Sequence, residues 1–118
     1  MQFLQPLGQR AKVKLPPKIR VNGYDCRFVR SREMLDVEGL FGEWDGNGHL
    51  IRIAEPDQFP NEVMEAGTVI HEWLHAMIAL YNIKVPDEEA LVEALEAALV
   101  QGLRDNKTFA RSIIRALK

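Results

Sequence analysis

The sequence predicts an α+β fold, a small antiparallel sheet of hairpins followed by helices, and three observations carry that expectation. Two turn signatures, Asn22-Gly23 and Asp45-Gly46-Asn47-Gly48, each stand between short runs of alternating character in the first half of the chain. After Pro56 and Pro60 the apolar spacing changes from two residues to three and four. No internal repeat or low-complexity stretch interrupts that order. With 118 residues there is room for one modest core, so a single domain over 1–118 is expected.

Taken in order, residues 1–18 contain Pro6, Gly8, Pro16 and Pro17 and read as an extended arm with a short straight piece at Val13 to Leu15. Ile19-Arg20-Val21 and Tyr24 to Val29 flank Asn22-Gly23 as the first hairpin. Ser31 to Glu38 fits a short helix or a turn. Leu40 to Trp44 and His49 to Ala54 form the second hairpin around a turn rich in residues that tolerate positive φ. Asn61 then caps a long helix, with Glu62 and Glu65 placed to favour its dipole. Val63, Gly67, Ile70, Leu74, Met77, Ile78 and Tyr81 give that helix one apolar stripe. Asn82 ends it, and Asp87 caps a second helix whose expected apolar face is Leu91, Leu95, Ala98, Leu99 and Gly102. Asp105-Asn106 breaks the second helix, and a third sets Phe109, Ile113 and Leu117 on one side.

Composition narrows the functional classes. Net charge is −2, which is no signature of a polyanion-binding surface, although residues 1–32 hold eight Lys or Arg against Asp25 alone. That asymmetry leaves open a nucleic-acid contact through the basic N-terminal part. The single Cys26 excludes an intramolecular disulfide, reads as a core thiol, and suits a reducing compartment. No run of about 18 apolar residues and no signal-like start is present, so no membrane partner and a cytoplasmic location are expected.

The first long helix carries His71-Glu72-Trp73-Leu74-His75, the pattern H-E-x-x-H. Residues four apart lie one turn apart on one face, so both imidazoles can reach one ion. Zinc takes neutral imidazole nitrogen in tetrahedral sites, and Glu72 flanks the pair as the group able to take a proton from water. A catalytic zinc needs a third protein ligand and an open position. Positions 78 and 81 are Ile and Tyr, so no third histidine follows on the helix, and His49 lies in the hairpin. Carboxylates of the next helix remain: Glu89 and Glu93, one turn apart, ahead of Glu88 and Glu96. Tyr24, Tyr81 and His49 are candidate donors to a developing oxyanion. An extended substrate would add along an exposed strand edge, for which His49 to Ala54 is the expectation.

His71 to His75 followed by an acidic second helix resembles the gluzincin arrangement of zincin metallopeptidases, in which a glutamate on the next helix completes the zinc site. More narrowly, the chain is similar to short metallopeptidases encoded by bacteriophages and prophages. The stretches that carry the likeness are Gly42-Glu43-Trp44-Asp45, Ile51-Arg52-Ile53, Thr68 to Ala76, Glu89 to Leu95 and Leu103 to Asn106. The resemblance implies a zinc metallopeptidase acting on peptide or protein substrates, with Glu72 catalytic and the metal on His71, His75 and Glu89. A phage-encoded enzyme would work in the bacterial host's cytoplasm. Likeness to larger gluzincins points instead to Glu93. Two other classes fit the same residues: a catalytically silent zincin-fold binding module, and a nucleic-acid-associated protease similar in outline to SprT-like proteins, using the basic segment Arg10 to Arg32.

Overall fold

The computed structural model describes residues 13–118. Its architecture is α+β: a four-stranded sheet, one short helix, and three longer helices at the C-terminal side. Strands β1 (Lys18–Val21) and β2 (Tyr24–Arg30) pair antiparallel, with Val21 opposite Tyr24. Asn22 and Gly23 both take positive φ, 48° and 81°, the pattern a two-residue type I′ turn requires. Strands β3 (Gly42–Asp45) and β4 (Leu50–Ile53) form the second antiparallel hairpin. Asp45 Oδ1 closes its turn by accepting from the backbone N–H of Asn47 at 2.9 Å and of Gly48 at 3.4 Å.

Both hairpins are antiparallel as expected, but the sheet they build is mixed. Its order is β1-β2-β4-β3, and β2 runs parallel to β4 with Phe28 opposite Ile51. A parallel join needs a crossover. The stretch left as helix or turn supplies it: α1 (Arg32–Glu38) lies in that connection. Ser31 Oγ caps its start by accepting from Met34 N–H at 3.3 Å. Gly39, at φ 74°, ends it, and Leu40 N–H reaches back to the Met34 carbonyl at 3.1 Å.

This topology makes β4 an interior strand and leaves β3 at the edge. The His49 to Ala54 strand therefore cannot offer a free edge to a peptide, whereas β3 can.

Helix α2 (Glu62–Leu80) starts where expected, with Asn61 Oδ1 accepting from Met64 N–H at 2.8 Å. α3 (Glu88–Asp105) is capped by Asp87, and α4 (Lys107–Ala116) follows the break at Asn106. Ile51, Ile53 and Ala54 of the sheet pack on Phe59 and Ala76, with Phe41 and Trp44 against them. A second cluster, Leu74 and Ile78 of α2 with Val92 of α3, fastens α3 to α2. Each such buried side chain stabilises the contact by about 1.5–3 kcal/mol.

Several residues depart from the expected pattern. Leu95 and Leu99, assigned to the buried face of α3, remain more than a third exposed, while Val92 is the one residue of α3 that is fully buried. Glu65, expected to serve the helix dipole, is instead wholly buried, with Oε2 2.8 Å from Arg30 Nη1. That Arg30 nitrogen donates to the Ala54 carbonyl at 2.8 Å. The carboxylate oxygens themselves accept no hydrogen bond, so the charge is matched while the lone pairs are not.

Cys26 is fully buried, as a core thiol should be, and burial, then the charge of Asp25, pushes its pKa up. Of the N-terminal arm, residues 1–12 lie outside the described residues; residues 13–17 run beside β2 without strand pairing, and Phe28 N–H donates to the Pro17 carbonyl at 2.9 Å. No helix among the described residues is long and apolar enough to cross a membrane.

Candidate metal centre

The helical spacing of His71 and His75 brings their rings together, with centroids 4.9 Å apart. Leu74 and Ile78 hold the neighbouring stripe of α2 against Val92, so the first turns of α3 are laid alongside the two imidazoles. Glu89 enters between them. His71 Nε2 is 2.9 Å from Glu89 Oε1, and His75 Nε2 is 2.9 Å from Glu89 Oε2. One ligand atom from each of the three residues lies within 4.8 Å of the others.

The opposite ring nitrogens are also held. His71 Nδ1 is 2.8 Å from Glu96 Oε1, and His75 Nδ1 is 2.6 Å from Glu88 Oε2. A carboxylate on Nδ1 fixes the proton there, turns the ring, and leaves the Nε2 lone pair free for an ion. Two imidazoles and one carboxylate, converging through Nε2 and oxygen and supported in this way, are a donor set that suits zinc. Desolvation, the largest single influence on His75, favours its neutral form, but the Glu88 hydrogen bond and the charges of Glu72 and Glu89 outweigh it and raise its pKa.

Glu72 packs against the sheet beside the triad and is only 7% exposed, more deeply placed than a residue flanking an open site need be. Gly42 of β3 lies against it. A Cβ at position 42 would lie 2.8 Å from Thr68 Cγ2, 2.9 Å from Glu72 Cγ and 3.0 Å from Glu72 Oε2. Only glycine lets the edge strand come this close to the carboxylate. Burial raises the Glu72 pKa; His71 and His75 oppose the rise, and Glu89 and Glu43 add to it.

Among the expected site residues the structure therefore gathers His71, His75 and Glu89 into one cluster, with Glu72 of α2 set against β3. Glu93 points to solvent and stands outside the cluster. His49 stacks on Trp44 with centroids 6.1 Å apart and meets Tyr24 edge-on at 5.1 Å, an aromatic group separate from the triad. Tyr81 sits exposed at the end of α2. Glu88 and Glu96, ranked below Glu89 and Glu93 as ligands, have a different place: each holds the Nδ1 of one histidine. Gly42 carries no side chain and no motif that marks it as a site residue in the sequence; only its contact with Glu72 does so.

In the described part of the basic segment, half of the cations are taken up in ion pairs. Lys18, Arg30 and Arg32 are paired with Asp25, Glu65 and Asp57. The side chains bonded to the two histidines are all carboxylates.

No family model, curated protein or solved structure matches the chain. The functional reading therefore stands on these residues and distances.

The geometry ranks the carboxylates for a titration of zinc affinity by competitive chelation. Glu89→Ala is expected to weaken binding most, since both Nε2 atoms face its oxygens. Glu88→Ala and Glu96→Ala should each cost about 10–100-fold, the usual effect of losing a partner to a ligating histidine. Glu93→Ala should be silent. Loss of affinity in Glu93→Ala with none in Glu89→Ala would reverse the assignment.

Proposed function

We propose that the protein is a zinc-dependent metallopeptidase of the zincin kind, with His71, His75 and Glu89 holding the metal and Glu72 as general base. One observation carries the reading: His71 and His75 of the H-E-x-x-H helix converge with Glu89 of α3, and the buried, proton-seeking Glu72 of the same H-E-x-x-H helix lies against the edge strand β3. Zinc, when bound, supplies Lewis-acid chemistry, polarising a carbonyl and making water easier to deprotonate.

Glu72 takes the proton from the attacking water on its carboxylate and returns it to the departing amine. Its raised proton affinity makes it a stronger base than a solvated glutamate, and its burial keeps competing water from it. Glu88 and Glu96 hold the two imidazoles in one tautomer through the cycle. Among the described residues β3 pairs on one side only, so its free backbone groups can receive an extended peptide by strand addition beside Glu72. Polypeptide in extended form is thus the proposed substrate class. The small phage-encoded metallopeptidases remain the proposed kinship, and the bacterial cytoplasm the proposed setting.

The test is cleavage itself. Zinc-loaded protein is incubated with a library of unfolded polypeptides, and products are read by mass spectrometry. New internal termini that vanish on chelation and return with zinc are expected. Termini that form equally fast in the chelated protein would remove zinc from the reaction.

A further inference from the structure

The α3–α4 end of the molecule is apolar and uncovered among the described residues, and it involves neither the metal ligands nor Glu72. On α4, Phe109, Ile113, Ile114 and Leu117 are 67%, 47%, 70% and 77% exposed. Lys107, Arg111 and Arg115 occupy the side opposite Phe109, Ile113 and Leu117, with Ile114 at the margin between them, so this is a helix built to bury one face. On α3, Leu95, Leu99 and Leu103, spaced four apart, are 37%, 40% and 46% exposed. Between the two helices runs a groove of about 680 Å³, walled by Leu99 and Leu103 on one side and Phe109, Ile113 and Ile114 on the other.

We propose that this end is a homodimer interface, in which the apolar face of α4 from each copy seats in the α3–α4 groove of the other. Area supports it. Taking on the order of 150 Å² for a whole large side chain, these seven residues expose roughly 600 Å² of apolar surface per copy. That is as large as the largest patch usually left on a monomer, about 300–600 Å². Pairing removes it from both copies, roughly 1,200 Å² in all before any polar rim, which reaches the lower bound of stable specific interfaces.

Shape and charge then select the occupant. A groove between two helices accepts an apolar helical ridge, and this chain carries one of matching character beside the groove itself. Knob and hole on one surface are what a two-fold, isologous contact needs. Among the described residues no charged side chain lines the groove, so neither an acidic nor a basic partner is preferred. A flat lipid surface would meet the ridge of α4 and leave Leu99 and Leu103 in the recess uncovered. A second copy covers both.

The full chain is examined by sedimentation equilibrium over micromolar concentrations, beside Ile113→Asp and Phe109→Ser. Both positions are exposed in the single chain, so the variants should fold, which circular dichroism verifies. Wild type is expected to dimerise. Each substitution enters the interface twice, so the dissociation constant should rise by about a hundredfold or more. Wild type that stays monomeric throughout overturns the proposal, as does a dimer indifferent to both variants. Monomeric protein that co-sediments with phosphatidylserine-containing vesicles, losing that in Ile113→Asp, would give the face to a membrane instead.

Discussion

Alanine at both His71 and His75 is expected to abolish stoichiometric zinc uptake. The two Nε2 atoms are the only nitrogen ligands in the cluster, and what remains is Glu88, Glu89 and Glu96, an all-oxygen set suited to hard cations. Elemental analysis of protein purified without chelator should give one zinc per wild-type chain and none for the double variant. Stability provides an independent reading. Zinc at about 100 times its dissociation constant stabilises the native state by about 2.7 kcal/mol. For a domain of this size that raises the melting midpoint by on the order of 10 °C, and the rise should be absent from the double variant. One zinc per chain retained by the double variant, or wild type that takes up none at micromolar zinc, would remove the basis of the metal centre.

Much of this centre was legible in the sequence because it is local. His71, Glu72 and His75 belong to one helix, and helical spacing alone decides which of them share a face. The hairpins were legible for the same reason: Asn22-Gly23 and Asp45 to Gly48 state their turns within a few residues. What could not be read was long-range. The parallel β2–β4 pairing depends on where α1 returns the chain, and with it goes the identity of the edge strand. The role of Gly42 depends on that edge lying over Glu72, 30 positions further on.

The carboxylates of α3 are an intermediate case. At about 100° per residue, Glu88, Glu89 and Glu96 lie within about 60° of Val92 around the helix, whereas Glu93 is about 100° away. Taking Val92 as the buried residue separates Glu88, Glu89 and Glu96, which reach the histidines, from Glu93, which does not. The amphipathic pattern favoured Leu95 and Leu99 instead, because their face is apolar although nothing in the single chain covers it. Periodicity reports which side of a helix avoids water and not which neighbour provides the cover.

Glu72→Gln is expected to retain zinc and lose turnover. An amide cannot accept a proton from water at neutral pH, and a general base typically contributes about 10²–10⁴-fold. Glutamine also fits: Glu72 is packed under Gly42, so a longer or branched replacement would press on β3, while the amide matches the carboxylate in volume. Folding should not suffer. Burial raises the Glu72 pKa above its unfolded value, so the folded state binds the proton more tightly than the unfolded state does. That contribution to stability is fully present below the unfolded carboxylate value of about 4.3 and is lost as pH rises through the folded one. At neutral pH the ionised, partly desolvated carboxylate therefore opposes folding, and the metal-free Gln variant should be at least as stable as metal-free wild type. Three measurements then bear on one substitution: zinc content unchanged, midpoint unchanged or higher, and cleavage of the polypeptide library reduced by at least about a hundredfold. Loss of zinc would make Glu72 a ligand rather than a base. Cleavage undiminished in a zinc-loaded, folded variant would show that the proton is carried by another group.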